Sequence, residues 1–419
     1  MIRFEDALKI VLENVKPLDT GRIRTLSALG YVLAQDIYST LDLPSFDNSA
    51  IDGYALKSSD TQDVSKNNSK ILEVIDDLPA GHVSTKRLKS GEGIRIMTGA
   101  PIPAGADAVI MVEDTKIVDS LQLTDHRKKC GQRSMDYGKI EIFRKVKEGE
   151  NIRRKGEDVK KGELVISKGK VICPAEIGML ASLNIQEVNV IKHPRVAILA
   201  TGDELIDIGQ DLEPGKVRNN NSYVLFTQVI KYGGIPVDLG VARDKKNEIG
   251  EKVVQGLSAD ILLISGGVSV GDYDLVKDVL IDLGMKMKFW KVAMKPGKPF
   301  VFGLIEGKPI FGLPGNPVSS MVTFEQFVRP AILKMRGITD LSRTLIKAII
   351  KEEIKKKIGL RYFIPAIVKK ENNQYFVTTT GPQGSGILKS MILSNGLIIL
   401  PEEVTHAEVG EEVTVELFD

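Results

Sequence analysis

The sequence has little sulfur and little imidazole. Cys130 and Cys173 are its only cysteines in 419 residues. They lie far apart, which argues against a disulfide scaffold and against a CxxC metal site. Four histidines, His82, His126, His193 and His406, are scattered with no HExxH or paired spacing, so zinc hydrolysis has no ligand set. An excess of one charge is also missing. The 57 basic and 55 acidic residues leave a net +2, whereas a general nucleic-acid binder carries a strong basic excess. Short basic runs, Arg153-Arg154-Lys155 and Lys355-Lys356-Lys357, have acidic neighbours and read as solvated surface. No apolar stretch has the unbroken length of a secretory signal or a membrane span. A cytoplasmic protein with neither a nucleic-acid nor a membrane partner is the expectation. Any metal should be a hard ion held by carboxylates, which points to magnesium.

What is present is the composition of an ordinary globular protein, 42% hydrophobic and 27% charged. The length implies about three domains. Ile2, Phe4, Leu8, Val11, Leu12 and Val15 recur at helical spacing, predicting an opening helix that ends near Lys16-Pro17. From about 44 to 145 short alternating runs predict a β-rich module, as at 71–75, 93–97 and 108–112. The 146–190 stretch is mixed, with a helix from Ala175 to Leu183, and is expected to join residues 1–43 in one discontinuous domain. Between 191 and 336 apolar strands alternate with helices: strands at 195–200, 235–241 and 260–265, helices at 222–231, 248–257 and 272–283. That alternation marks a parallel α/β sheet. From 337 to 419 strand-like runs return and predict a small C-terminal β domain. The fold class is therefore α/β plus β-rich domains in one multidomain subunit.

Ligands of an open parallel sheet bind beyond the carboxyl ends of its strands. Thr201-Gly202-Asp203-Glu204 follows the first strand, Arg243-Asp244 the second, and Ser265-Gly266-Gly267-Val268-Ser269-Val270-Gly271-Asp272-Tyr273-Asp274 the third. Glycines at a helix entry let backbone N–H groups approach an anion, and Ser265 and Ser269 add hydroxyls. A plain glycine turn with Asp272 as N-cap is the alternative for that stretch, and turn-forming or capping is the alternative for each acid. Taken together, Glu204, Asp244 and Asp274 would line one crevice beside the anion loop, and magnesium bridging carboxylates to phosphate removes the repulsion. Lys295-Pro296-Gly297-Lys298-Pro299 and Gly312-Leu313-Pro314-Gly315-Asn316-Pro317 then form two stiff loops. The lysines could hold an oxyanion or be ordinary surface charges.

These motifs resemble one family. The run at 45–55, SFDNSAIDGYA, is similar to the N-terminal signature of the molybdopterin molybdenumtransferases, the gephyrin E-domain-like family, and RIMTGAPIP at 95–103 to their second motif. TGDEL at 201–205, SGGVSVGDYD at 265–274, KPGKP at 295–299 and GLPGNP at 312–317 follow in the family's order. The resemblance implies an elongated four-domain subunit with a central molybdopterin-binding-type α/β domain, working as a homodimer. It implies insertion of molybdenum from molybdate into adenylylated molybdopterin, with AMP released and magnesium present; the nearly isosteric tungstate is the alternative oxyanion. Asp52, Thr98, Glu204, Asp244, Asp274, Pro314 and Pro317 fall on the family's functional positions. Lys295, Lys298 and Arg361 fall near its oxyanion positions, and Ser385 is a looser match. Ser265, Gly266, Gly267, Ser269 and Gly271 would bind phosphate, and the adenylyltransferase that supplies the substrate would be a transient partner. Two other readings remain: the adenylyltransferase activity itself, which shares the α/β domain but not the motifs at 45–55 and 95–103, and a non-catalytic scaffold on the same fold.

Overall fold

The computed structural model describes residues 1–119, 137–267, 275–382 and 384–418. Contacts divide the chain into two compact units, residues 36–167 and residues 1–35 with 168–419. Among the described residues, no helix is long and apolar enough to cross a membrane.

The 36–167 unit is built on a six-stranded mixed sheet in the order Ala108–Met111, Gly53–Leu56, Glu92–Ile96, Lys70–Leu78, Lys139–Ile142, Thr115–Asp119. Alternation puts Tyr54, Leu56 and Ile110 into one apolar cluster and Ala55, Ile94 and Val109 into another. Gly53 has to be glycine, because a Cβ there would lie 1.9 Å from the carbonyl oxygen of Ile110. Two short pairings extend the unit outward, Asn48–Ser49 with Ile152–Arg153 and Ile37–Tyr38 with Leu164–Ile166.

In the other unit the opening helix, Phe4–Glu13, buries Phe4, Ala7 and Val11 on one face. Phe4 packs on Phe327 and Phe363, with ring centroids 5.3 and 5.1 Å away. A three-stranded sheet joins Thr20–Arg24 and Val32–Leu33 to the returning strand Glu187–Ile191. The α/β sheet has the order Ile235–Ala242, Arg195–Thr201, Ile261–Ser265, Lys308–Leu313, Pro299–Ile305, Lys286–Lys291. Its first four strands run parallel, and all five residues of Ile261–Ser265 are buried. Pro299–Ile305 runs antiparallel to both its neighbours, Lys308–Leu313 and the edge strand Lys286–Lys291, so the sheet is mixed rather than wholly parallel. The cause is a two-residue turn, Glu306-Gly307, with φ of 52° and 80°, which folds Pro299–Ile305 and Lys308–Leu313 into a hairpin.

The C-terminal strands close on themselves. Arg361–Glu371 pairs with both Gln374–Thr379 and Gly396–Leu400, and Leu345–Ile350 and Glu412–Leu417 complete the ring. This is a small β-barrel, which leaves no free edge to its main strands. A buried ionic cluster fastens it to the α/β layer: Arg343 pairs with Glu325 and, at 3.3 Å, with Glu416, while Tyr232 donates to Glu325 at 2.9 Å.

Candidate active site

The carboxyl ends of the parallel strands meet at one cleft of about 800 Å³, within the usual range for a small-molecule site. Thr201, Glu204, Asp244, Ser265, Pro314 and Pro317 are among its lining residues. Each wall has a local cause. Gly202 has φ 148°, and a Cβ there would sit 2.5 Å from the Glu204 carboxylate, so glycine lets that side chain fold back across the strand end. The first and second loops are stapled reciprocally: Asp203 N donates to Asp244 Oδ2 and Asp244 N to Asp203 Oδ1, both at 3.3 Å. In the third loop Gly266 and Gly267 adopt φ of 92° and 62°. A Cβ on Gly266 would meet Thr201 O at 2.7 Å, and one on Gly267 would meet Val276 Cγ2 at 2.4 Å. The chain can reach the cleft floor there only without side chains.

Glu204, Asp244, Ser265, Gly266, Gly267, Pro314 and Pro317 are thus brought together, as the strand-end argument expects. Asp274, Ser269 and Gly271 lie outside the described residues. Asp52 and Thr98 are paired in the 36–167 unit: Asp52 Oδ1 accepts from Thr98 N at 2.8 Å and from Thr98 Oγ1 at 2.7 Å. Those bonds, the backbone one foremost, hold the Asp52 carboxyl below the usual carboxylate range. Lys295 and Lys298 are exposed on the loop that carries Pro299, which does line the cleft. Lys295 Nζ stands 5.1 Å from the Tyr362 ring centre. The Arg361 guanidinium is engaged by Glu5 and, at 3.1 Å, by Glu402 Oε2, with its charge over the Phe4 ring. An oxyanion at Arg361 would therefore have to compete with two carboxylates. Ser385 is half-buried beside the cleft: its hydroxyl accepts from Asn316 Nδ2 at 3.1 Å and its carbonyl from Val318 N at 3.1 Å.

The sequence reading missed Arg218, Asn219 and Asn221, all of which line the cleft. Arg218 is the only basic residue among the described lining residues. Asn219 caps the helix Asn220–Lys231 by accepting from Ser222 N at 3.2 Å. Three consecutive asparagines before a helical run were the available signal.

Among the described residues, no three His, Cys, Asp or Glu side chains are grouped closely enough to hold a metal. Two exposed carboxylates on one cleft, Glu204 and Asp244, nonetheless fit magnesium, which takes hard oxygen donors and commonly uses one or two carboxylates with phosphate oxygens and waters.

Three family models match in succession: the MoeA N-terminal region (domain I and II) at residues 2–184, a probable molybdopterin binding domain at 197–334, and the MoeA C-terminal region (domain IV) at 347–418. The chain is 37% identical over 423 residues to a molybdopterin molybdenumtransferase of Haemophilus influenzae, covering 100% of this chain and 99% of that one. It is 34% identical over 418 residues to the Staphylococcus aureus protein of the same name, covering 99% and 95%. A crystal structure of a molybdopterin biosynthesis MoeA protein from Pyrococcus horikoshii superposes with a TM-score of 0.80 at 34% identity, covering 100% of both chains.

Proposed function

The chain belongs to the molybdopterin molybdenumtransferases, transferases of molybdenum cofactor biosynthesis, and we propose from that premise that it moves molybdenum from molybdate onto the dithiolene of adenylylated molybdopterin and releases AMP. The observation that carries the proposal is the placing of Glu204 and Asp244 on the same cleft as the glycine turn at 265–267. An adenylylated pterin presents a phosphoanhydride and two sulfurs. The amides and hydroxyl of the third loop bind the phosphates, and Arg218 adds a guanidinium at the rim. Lys295 and Lys298 hold molybdate beside the sulfurs, while Ser385, Pro314 and Pro317 shape the rest of the substrate's surroundings; the Asp52–Thr98 pair of the 36–167 unit is a further functional element of the same reaction. Magnesium would be held by Glu204 and Asp244, with Asp274, and when bound supplies positive charge that draws electron density from the anhydride. A molybdate oxygen attaches to the adenylate phosphorus as the bond from that phosphorus to the bridging oxygen breaks, leaving the bridging oxygen on the pterin phosphate. The two dithiolene sulfurs then displace two oxygens from molybdenum, one departing on AMP and the other as water with the two thiol protons. Because the accepting sulfurs belong to the substrate, the chain needs no cysteine cluster of its own. A homodimer is the proposed working form, with the adenylyltransferase as a transient donor of substrate.

Purified protein incubated with adenylylated molybdopterin, magnesium and either molybdate or tungstate should release AMP without ATP. Asp274→Asn should abolish release while leaving the thermal unfolding temperature near that of the parent. A requirement for ATP would point to adenylylation instead, and undiminished release by the Asp274 variant would remove that residue from the site.

A further inference from the structure

Asn221 is 8% exposed, yet it belongs to the cleft wall. Its Nδ2 donates to Gly315 O at 2.8 Å and to Ser265 Oγ at 2.9 Å. One side chain thus ties together the helix after the first strand, the end of the third strand and the Gly312–Pro317 loop.

The polarity of this clasp follows from the partners. A carbonyl oxygen can only accept, so Gly315 fixes which end of the amide is nitrogen. Both amide hydrogens are then committed, and Ser265 Oγ is an acceptor. A serine hydroxyl that accepts keeps its one hydrogen for another partner, and Ser265 Oγ makes no other hydrogen bond among the described residues. Ser265 is itself 2% exposed and lines the cleft. The opposite end of the amide, Asn221 Oδ1, is buried and has no partner among the described residues. Neighbouring Thr201 Oγ1, also on the cleft, has none among those residues either. Buried polar atoms left unmatched by the protein mark a place where a ligand or its water completes the bonding.

We propose that Asn221 is a positioning residue: by donating to Gly315 O and Ser265 Oγ it commits the Ser265 hydroxyl as a hydrogen-bond donor to the adenylate phosphate. The inference rests on the cleft being the adenylate site. It explains why a neutral amide stands where a carboxylate of the same shape would make Ser265 donate inward, leaving an anionic ligand to face a lone pair.

The test is a double-mutant cycle on AMP binding, measured by calorimetry with magnesium chloride, using the parent, Ser265→Ala, Asn221→Ala and the double variant. A hydrogen bond to a charged group predicts a loss of roughly tenfold or more for each single variant. If Asn221 acts through Ser265, the double variant binds no more than about twofold worse than Ser265→Ala. A purely structural role would lower the unfolding temperature without producing that coupling. Losses that multiply overturn the proposal, and so does a Ser265→Ala protein that binds AMP as the parent does; the second outcome decides even where Asn221→Ala does not fold. A parent protein that fails to bind magnesium and AMP refutes the proposed function instead.

Discussion

At the scale of single residues, His193 shows how burial outside the cleft makes stability depend on pH. Its ring stacks on Tyr31 with centroids 3.8 Å apart and planes 9° from parallel. Burial foremost, then the Arg336 guanidinium, lowers its pKa to about 4, against a smaller opposing contribution from a bond to Gly30. His193 is therefore neutral in the folded protein, while the unfolded chain protonates it near 6.5. As pH falls from about 6.5 toward 4 the unfolded state takes up a proton that the folded state refuses. Stability from this site is complete above about 6.5 and is lost on the way down. His193→Phe keeps the stacked ring and removes the titration. Urea unfolding at pH 7 and pH 5 should show the parent losing roughly 1 kcal/mol more than the variant, a figure discounted for the ring's partial exposure. An equal loss in both proteins would place the pH sensitivity elsewhere.

At the scale of elements, the hairpin of Pro299–Ile305 and Lys308–Leu313 in the α/β sheet offers a test separate from the cleft. Exposed Glu306 adopts φ 52°, a left-handed conformation that asparagine tolerates better. Glu306→Asn should stabilise the protein by roughly 0.5–1 kcal/mol in thermal unfolding and leave AMP release unchanged. A lower unfolding temperature would mean that the Glu306 side chain matters in its own right. The same hairpin shows where sequence reasoning stops. Apolar runs such as 195–201 and 261–265 announce buried strands through composition, and the acids after them mark the strand ends. An apolar run looks the same in either direction, so the reversal of Pro299–Ile305 had no hydrophobic signature; it is encoded in two turn residues. At the cleft, Glu204 and Asp244 were legible because each follows its strand at once. Arg218 and Asn221 arrive after the excursion between Ile206 and Val217, with no periodic pattern to tie them to it. Arg361 was legible as a cation but not as a paired one, since Glu5 and Glu402 lie 356 and 41 residues away in sequence.

At the scale of the whole molecule, residues 36–167 form one insertion in the rest of the chain. Its ends run antiparallel, with Ile37 opposite Ile166, Ser39 N donating to Glu163 O at 2.9 Å and Gly162 N donating to Ser39 O at 2.8 Å. Partners so paired have Cα atoms about 5 Å apart, so the chain enters and leaves at nearly one point. The host segments are adjacent as well: Leu33 N donates to Lys170 O at 2.9 Å and Gly169 N to Leu33 O at 2.8 Å. Replacing residues 36–167 by a short glycine–serine turn should therefore leave a protein that folds cooperatively, because the closure costs little loop entropy and leaves intact the described core clusters of the α/β sheet and the C-terminal barrel. That protein keeps Glu204, Asp244, Ser265 and Asn221 and should still bind AMP with magnesium, seen by calorimetry. AMP release from adenylylated molybdopterin should be lost, because Asp52 and Thr98 leave with the insertion. A folded product that cannot bind AMP would show that the cleft depends on the inserted unit. One that still turns over would free Asp52 and Thr98 from any part in the reaction and confine the chemistry to the strand ends of the α/β sheet.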